Sequence, residues 1–445
     1  MDNDFIRFFF EYLFQEGYTY RYRLDRWKYL HRLGDLPYSS PRRMVQVGGE
    51  TLIEELMQPT ALPRILSPRE ELELRLIAKI WSRFILAQEK VVRAYPQLLK
   101  EVCTPGEQQS GLVSPGYSFP LSWYRLDLVN TDEGFKVVDV NTIRSAGYGD
   151  MVLINRLLDE AFGKDVVGNA FPVGDIYIRT VWQCVAEWKE SFPCIHCDVG
   201  QILTSGNTGE ANNFRIMREL TERALRKTVV LLDRNSVSGE KLGCPIIIGG
   251  RVIEGDQGFA KVADLYPHGA CIMPPLFRRW MGNKLWFSIP FRRQYQGIFC
   301  EFMGEYYYKL ERIIPYTGSV RFGKIIFPDR EYSPKGLPPG IEWVLKPASG
   351  SSGKGIYLSW RENKTKWHRL LQESATGTLQ RYYPSKEKCL VLNARGECIE
   401  QELYTKYGLY IIGGEFAGVE FMTCGHPLVH GGRRTYYTTA RAVPS

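Results

Sequence analysis

Four polar residues in two short segments have the types and spacing of a cation-binding or phosphate-binding site. Arg125 and Asp127 stand two apart in WYRLDLVN, and Asp139 and Asn141 stand two apart in KVVDVN. Carboxylate and amide oxygens suit Mg²⁺, which usually takes one or two carboxylates together with phosphate oxygens and water. A neighbouring guanidinium can hold a transferring phosphate or an oxyanion. The pattern therefore predicts magnesium and phosphate chemistry, with a structural ion pair as the alternative.

These two segments are predicted to be the strands of a hairpin. They flank residues 130–134, Asn-Thr-Asp-Glu-Gly, a five-residue loop whose glycine relaxes the backbone. Side chains alternate faces along a strand, so pairing Val129 with Phe135 separates an apolar face from a polar one. The apolar face would carry Leu126, Leu128, Val138 and Val140. The polar face would carry Arg125, Asp127, Asp139 and Asn141, an alternation that an ordinary surface hairpin also fits.

A second segment, WVLKPASGSSGKGIYL at residues 343–358, is rich in small residues and contains two lysines. A strand is predicted to end at Lys346 and Pro347, and another strand to begin at Ile356. Small residues let backbone N–H groups surround phosphate oxygens, while the lysines supply charge. No Gly-Lys-Ser/Thr leads into a helix, so this is not a Walker A loop but a predicted strand–loop–strand flap; a plain hairpin tip is the alternative. The predicted ATP-binding residues here are Lys346, Gly350, Ser351, Ser352, Gly353 and Lys354.

Two other segments are candidates for substrate contacts. Residues 377–383 predict a strand leading into a hinge, where Gln380 and the backbone near Tyr382 would hydrogen-bond an adenine edge; a simply exposed glutamine is the alternative. The loop 142–149 directly follows the proposed metal residues, which places Arg144 and Ser145 near a substrate. A plain strand-to-helix connection explains that loop equally well.

The N-terminal part is predicted to be a helical region that packs on the rest of the chain. Residues 1–66 are aromatic and helix-prone, and Ser67 begins a long helix because Ser-Pro-Arg-Glu is a capping box with proline at the first helical position. The helix is expected to end near Tyr95. Its apolar stripe is predicted to contain Leu72, Leu76, Trp81, Phe84, Ile85, Val91 and Val92.

The middle and end of the chain predict mixed α/β structure. Residues 151–190 are mainly helical, and the segment from Cys194 reads strand, glycine-containing turn, helix and strand, a Rossmann-like unit without G-x-G-x-x-G. Further strands are expected at 245–248 and 251–254, and another helical stretch from Asn283. Residues 402–421 predict two strands around Gly413 and Gly414.

Bulk composition favours a cytoplasmic protein without a transmembrane helix. With 445 residues the chain is long enough for two or three domains, and its net charge of +8 permits acidic substrates without requiring nucleic acid. No apolar run is long enough for a transmembrane helix, and the acidic start MDNDF is unlike a signal peptide. The ten scattered cysteines fit a reducing compartment, and Cys194 with Cys197 is interpreted as structural rather than as a zinc or redox site.

Taken together, these motifs resemble the ATP-grasp ligases, specifically the synthetase domain of glutathionylspermidine synthetase. The similarity runs from about Leu121 to Val443 with a divergent middle, and consists of Arg125-x-Asp127, Asp139-x-Asn141, Lys346-Pro347 with its loop, and Gly413-Gly414-Glu-Phe-Ala-Gly418. It implies an α+β or α/β ATP-grasp fold in a permuted order, in which the metal-binding strands precede the phosphate loop. The implied division is a helical region (1–110), a hairpin part of the core (111–190), a Rossmann-like domain (191–282) and an ATP-grasp part with the flap (283–445).

The resemblance also implies an activity: ADP-forming ligation of a carboxylate to an amine, with ATP and Mg²⁺ as cofactors. Asp127, Asp139 and Asn141 would bind two Mg²⁺ ions, and Arg125 would be catalytic. An amino acid, a small peptide or a polyamine would be the substrates. Two departures are Asp139, where the family has Glu, and Met422, where it has Arg; Arg433 or Arg434 are possible replacements.

Two other activities stay open, a nucleotide-binding regulatory module that has lost the chemistry and an ATP-dependent phosphotransferase. Nucleic-acid binding ranks last, because the basic pairs Arg278-Arg279 and Arg292-Arg293 come with no recognised motif. From the sequence, Arg125→Ala and Asp139→Ala are each expected to nearly abolish ATP turnover while leaving folding intact.

Overall fold

A computed structural model describes the greater part of the chain. The described residues are 43–47, 50–54, 58–59, 63–103, 118–142, 147–162, 164–191, 200–204, 211–233, 245–248, 271–349, 355–392, 398–429 and 435–443. The α-helices there are α1 (Pro68–Ala94), α2 (Leu99–Val102), α3 (Tyr148–Phe162), α4 (Lys164–Val167), α5 (Val173–Ser191), α6 (Ala211–Leu225), α7 (Arg293–Met303), α8 (Tyr306–Ile313) and α9 (Lys364–Glu373).

The strands fall into two groups along the chain. Those before α7 are β1 (Arg43–Val47), β2 (Glu50–Glu54), β3 (Gln58–Pro59), β4 (Arg64–Leu66), β5 (Trp123–Thr131), β6 (Gly134–Asn141), β7 (Gly200–Thr204), β8 (Val229–Asp233), β9 (Pro245–Ile248) and β10 (Cys271–Met273). Those after α8 are β11 (Thr317–Arg321), β12 (Lys324–Ile326), β13 (Glu331–Tyr332), β14 (Trp343–Pro347), β15 (Tyr357–Leu358), β16 (Gly377–Arg381), β17 (Lys386–Leu392), β18 (Cys398–Ile412), β19 (Glu415–Cys424) and β20 (Tyr436–Ala442).

Helix α1 confirms the predicted boundaries. Ser67 is the N-cap and forms the full capping box with Glu70, and the helix ends at Ala94. The predicted stripe is wrong at its start, because Leu72 and Leu76 are 70% and 40% exposed. At about 100° per residue, Leu72 lies on the side opposite Leu74, and the buried face begins with Leu74 instead.

The N-terminal region is less helical than its composition suggested. The described segments before Ser67 are strands: β1 pairs with β2, and β3 and β4 pair in parallel with β20 at the other end of the chain. The prediction of helix through residue 66 is therefore wrong for these segments. The β-branched residues of β1 and β2 favour strands, and β3 and β4 find their partner in the distant β20.

The largest sheet among the described residues has eight strands and holds the candidate site. Its order is β3-β20-β19-β18-β5-β6, with β17 also paired to β18 and β4 to β20. One face, which includes Leu126, Leu409 and Val419, packs in a core with α1, α7 and α8. On the other face Trp123 and Tyr410 pack under α3 and α5, and the polar side chains lie further along the same strands.

Besides the two-stranded β1–β2 sheet, the described residues form a four-stranded and a six-stranded sheet. Strands β10-β9-β7-β8 are parallel, and β7–α6–β8 confirms the predicted Rossmann-like unit. Strands β13-β12-β11-β16-β14-β15 are antiparallel and pack against α9, and they confirm the strands predicted on both sides of the flap loop. The fold class is thus mixed α/β, while the permuted ATP-grasp order and the four-part domain division stay predictions.

Some expectations fall outside the described residues. They include Cys194, Cys197 and the strand at 251–254. No helix in the described ranges combines the length and the apolar character needed to cross a membrane.

Candidate functional site

The hairpin β5–β6 forms with a register different from the predicted one. Phe135 pairs with Asn130 rather than with Val129, and Asp132 and Glu133 alone form the turn, closed by Gly134 at φ 90°. A shift in register then occurs beyond Leu128, as in a β-bulge. Because Val137 pairs with the buried Leu128, Val137 rather than Val138 joins the core.

The same bulge brings the polar residues into direct opposition. Asp127 pairs with Asp139, and Arg125 pairs with Asn141. Residues paired across an antiparallel ladder share a face, so the four residues predicted to lie together do so. The predicted polar face is confirmed even though the predicted register near the turn is wrong.

Strands β18 and β19 add polar residues that the sequence analysis missed. Asp127 pairs with Gly408, Gly408 with Glu420, and Glu420 with Thr439, which continues one cross-strand row from Asp139 over the same face. Lys406 stands two residues before Gly408 and therefore faces the same side. The two-strand prediction for 402–421 contained these residues, but their pairing with β5, almost 300 residues away, left no local signal.

Arg125 and Asp127 are the centre of a buried charge network. Arg125 Nε donates to Asp127 Oδ1 at 2.8 Å, and Lys406 Nζ donates to Asp127 Oδ2 at 2.9 Å. Arg125 Nη1 also lies 2.8 Å from Glu420 Oε1, and Tyr410 donates to Glu420 Oε2 at 2.7 Å. The network joins three strands and is almost closed to solvent.

The pKa values of the two carboxyls in this network shift in opposite directions. Burial would raise the pKa of Asp127, but Arg125 and Lys406 outweigh it and hold that pKa well below its usual range. Burial raises the pKa of Glu420 although Arg125 and Lys406 lower it. The negative charge of Asp127 also raises this pKa, because it repels a second carboxylate. Asp127 is therefore a fixed anion, whereas Glu420 is more readily protonated.

Two lysines approach Asp139 from other parts of the chain. Lys284 Nζ lies 3.1 Å from Asp139 Oδ1, and the Lys284 backbone N–H donates to Ala348 O at the end of β14. Lys346 Nζ donates to Val138 O at 2.7 Å, next to Asp139. Burial lowers the pKa of Lys346 to about 8. Lys284 was missed from the sequence, because it lies in a 3-10 segment with no motif around it.

Gln380 and Tyr382 have partners other than an adenine ring. Gln380 is buried; its Oε1 accepts from Lys346 Nζ at 2.6 Å and its Nε2 donates to Thr317 Oγ1 at 3.2 Å. The Tyr382 backbone N–H donates to Glu342 O at 2.8 Å. The alternative of a simply exposed glutamine is therefore wrong, and Gln380 orients Lys346. Adenine recognition by this segment stays a prediction.

Several predicted site residues lie outside the described part of the chain. They are Arg144, Ser145, Gly350, Ser351, Ser352, Gly353, Lys354, Arg433 and Arg434. The ends of the flap are described: Val344 pairs with Leu358 and Leu345 with Tyr357. Met422 is a buried strand residue paired with Lys406, so a cation stands directly opposite the apolar side chain.

The donor set fits one divalent cation better than two. In the described ranges no three Asp, Glu, His or Cys side chains form a metal cluster. Both oxygens of Asp127 are bound by protein cations, whereas the Val140 N–H and Lys284 both engage Asp139 through Oδ1. Among the described residues, the buried side-chain nitrogen of Asn141 has no hydrogen-bond partner, and rotating that amide would present its oxygen instead. Asp139 and Asn141 could hold Mg²⁺; Asp127 does not fit that role.

Gly408 gives a direct test of how tightly this network is packed. A Cβ at Gly408 would lie 2.3 Å from Glu420 Cγ, so Gly408→Ala is expected to displace Glu420 from Arg125 and to cost about 1–3 kcal/mol of unfolding free energy. Gly297→Ala is the matched control, because that helical glycine has no atom within 4 Å of the new Cβ and should gain stability. Urea unfolding of both variants measures the difference. Equal stability of the two variants would contradict the packing.

Comparison with known proteins supports a synthetase-like fold. No family model matches the chain, and no curated protein matches its sequence. A glutathione synthetase-like effector from Globodera pallida, solved in its apo form, is similar with a TM-score of 0.56 at 12% identity, over 93% of this chain and 97% of that one. A candidate gamma-glutamylcysteine synthetase from Methylobacillus flagellatus aligns with a TM-score of 0.41 at 11% identity, over 85% of this chain and 89% of that one.

The similarity to the Globodera pallida protein confirms a synthetase-like fold, and the narrower likeness to glutathionylspermidine synthetase stays a prediction. The similarity to the Globodera pallida protein extends over nearly the whole of both chains. The chain therefore shares the fold of a glutathione synthetase-like protein.

Proposed function

We propose that this protein is an ATP-dependent ligase that joins a carboxylate to an amine and releases ADP and phosphate. The observation that carries the proposal is that Lys284 contacts Asp139 and Lys346 contacts the neighbouring Val138 carbonyl, beside the polar face of β5–β6 that also carries Arg125. Three cations from separate segments on this one face suit a polyphosphate bound with a metal ion. The synthetase-like fold adds support.

Each of these residues has a role in binding the nucleotide. Lys284 and Lys346 would neutralise phosphate charge, with Gln380 keeping the Lys346 ammonium in place. Asp139 and Asn141 would hold Mg²⁺, which supplies charge neutralisation and orientation at the phosphates when bound. The loop 350–354 would cover the phosphates with backbone N–H groups.

The proposed reaction has two steps. A substrate carboxylate oxygen attacks the γ-phosphorus of ATP, and the bond to ADP breaks, which gives an acyl phosphate. The amine nitrogen then attacks the acyl carbon, loses a proton and expels phosphate. Arg125 would stabilise the negative charge that develops in both steps, and its guanidinium is held for that task by Asp127 and Glu420.

The test is a screen of amino acids, small peptides and polyamines for stimulated ADP formation, with mass spectrometry of the product. A pair of an acid and an amine that raises ADP release and yields the amide would support the ligase. Hydroxylamine separates the alternatives, because it traps an acyl phosphate but not the phosphoester of a phosphotransferase. ADP release without any trapped or amide product would contradict ligation.

The protein is expected to take up a proton from solution, at Lys346, when it binds nucleotide at alkaline pH. Burial lowers the pKa of Lys346 to about 8, so at pH 9 roughly nine-tenths of this lysine is neutral and at pH 7 roughly nine-tenths is charged. Bound phosphates favour the charged form and raise that pKa. Binding at pH 9 should therefore take up close to one proton, and at pH 7 only about a tenth of one.

Calorimetric titration with ATP in buffers of different ionisation enthalpy measures this uptake. The Lys346→Met variant is the control, because it removes the titrating group and should abolish the difference between the two pH values. Equal proton uptake by the wild type at pH 7 and pH 9 would argue against phosphate binding at Lys346.

A nucleotide-binding regulatory module is the second candidate, favoured by one observation. Both oxygens of Asp127 are bound by Lys406 and Arg125, an arrangement that also suits a site that binds without turnover. Nucleotide binding without ADP formation under any substrate pair would favour this candidate over the ligase.

A further inference from the structure

We propose that Lys406 is a resident cation that takes the place of a divalent ion at Asp127. The nucleotide site then binds a single Mg²⁺, at Asp139 and Asn141, and Asp127 serves only to orient Arg125. The inference rests on the proposed nucleotide site and specifies its metal requirement.

Lys406 lies on an inner strand of the sheet, so its backbone position is fixed, unlike that of a lysine on a surface loop. Lys406 lies inside β18, and the next residue, Tyr407, pairs with Leu128 on one side and Phe421 on the other. Its Nζ is 2.9 Å from Asp127 Oδ2, and the side chain is only 11% exposed. With strands on both sides, the ammonium is held at the carboxylate.

The other oxygen of Asp127 is also occupied. Arg125 Nε donates to Oδ1 at 2.8 Å, and the Arg125 guanidinium continues to Glu420. A divalent ion at Asp127 would have to displace a charge-assisted hydrogen bond and sit against two fixed positive charges. In a buried, poorly screened site this repulsion is strong, so Mg²⁺ has no favourable position there.

Asp139 lies directly opposite Asp127 but is more exposed and has a different set of contacts. Its side chain is 27% exposed, and its ion pair with Lys284 uses Oδ1. The Asn141 amide lies two residues further along the same face. One carboxylate and one amide, completed by phosphate oxygens and water, are a normal set of ligands for Mg²⁺.

The metal count can be measured independently of turnover, with Mn²⁺ as the probe. Wild-type protein is titrated with MnCl₂ in the presence of a non-hydrolysable ATP analogue, and free Mn²⁺ is read by electron paramagnetic resonance. We expect one tightly bound Mn²⁺ per chain in the wild type and a second in Lys406→Met, which keeps most of the unbranched side chain and removes its charge. The additional Asp127→Asn change in that variant should remove the second ion again.

Two further variants serve as controls for the number of bound Mn²⁺ ions. Asp127→Asn in the wild-type background should leave the count at one, and Lys388→Met, which removes an exposed lysine paired with Glu400, should leave it unchanged. Two tightly bound Mn²⁺ ions in the wild type, or loss of Mn²⁺ in Asp127→Asn, would overturn the inference, whether or not Lys406→Met folds. Failure of the wild type to bind the analogue in fluorescence or calorimetric titration would overturn the proposed function instead, and this inference with it.

Discussion

Arg125→Ala is expected to reduce ADP formation by about 10²–10³-fold and to lower the free energy of unfolding by about 3–5 kcal/mol. The loss of activity follows from removing the guanidinium next to the proposed phosphoryl group. The loss of stability follows from the buried network, because Asp127 would keep only Lys406 and Glu420 would lose the cationic contact on its Oε1. The sequence alone led to the expectation that folding would be unaffected, and the burial of this residue revises it.

Steady-state ADP release and urea unfolding measure the two effects separately. Adding Glu420→Gln to Arg125→Ala should restore part of the lost stability, since the amide removes the buried carboxyl that Arg125 compensates, while activity should stay low. Recovery of activity along with stability would show that Arg125 acts only through folding. Wild-type turnover in Arg125→Ala would remove this residue from the mechanism.

Asp139→Asn is expected to reduce ADP formation by a similar factor, about 10²–10³-fold, with a change in unfolding free energy of only about 1 kcal/mol. The amide keeps an acceptor for the Val140 N–H but removes the charge that pairs with Lys284 and would hold Mg²⁺. Because this carboxylate is partly exposed, its ion pair contributes little to folding.

The matched control is Asp132→Asn, the same substitution at an exposed turn residue of the same hairpin. Turnover and Mn²⁺ binding should be unchanged in the control and lost together in Asp139→Asn. If Asp139→Asn keeps Mn²⁺ binding and turnover at the level of the control, the metal ligand lies elsewhere.

Local sequence patterns were sufficient wherever one short segment carried all of the information. The capping box at Ser67 predicted where α1 begins, because the cap is formed by residues three apart. The alternation along β5 and β6 predicted which polar side chains share a face, because that depends on strand periodicity. The strands on either side of the flap loop and the β7–α6–β8 unit were predicted for the same reason.

Properties that depend on segments far apart in the chain were decided by the tertiary structure alone. The register of the hairpin was predicted wrongly, because no local pattern indicated either the two-residue turn or the bulge beyond Leu128. The helix-prone composition before Ser67 was overridden by parallel pairing of β4 with β20. Composition describes what a segment prefers in isolation, whereas pairing energy depends on the partner that the fold supplies.

For this protein, the sequence by itself determined the candidate residues on the hairpin and Lys346, and the chemistry that their types allow. Only the tertiary structure decided the electrostatics of the site: that Lys284 reaches Asp139, that Gln380 holds Lys346, and that Lys406 and Glu420 complete the network around Arg125. The physical reason is that charge–charge interactions act through space over a few ångströms, while the residues involved are separated by up to almost 300 positions along the chain.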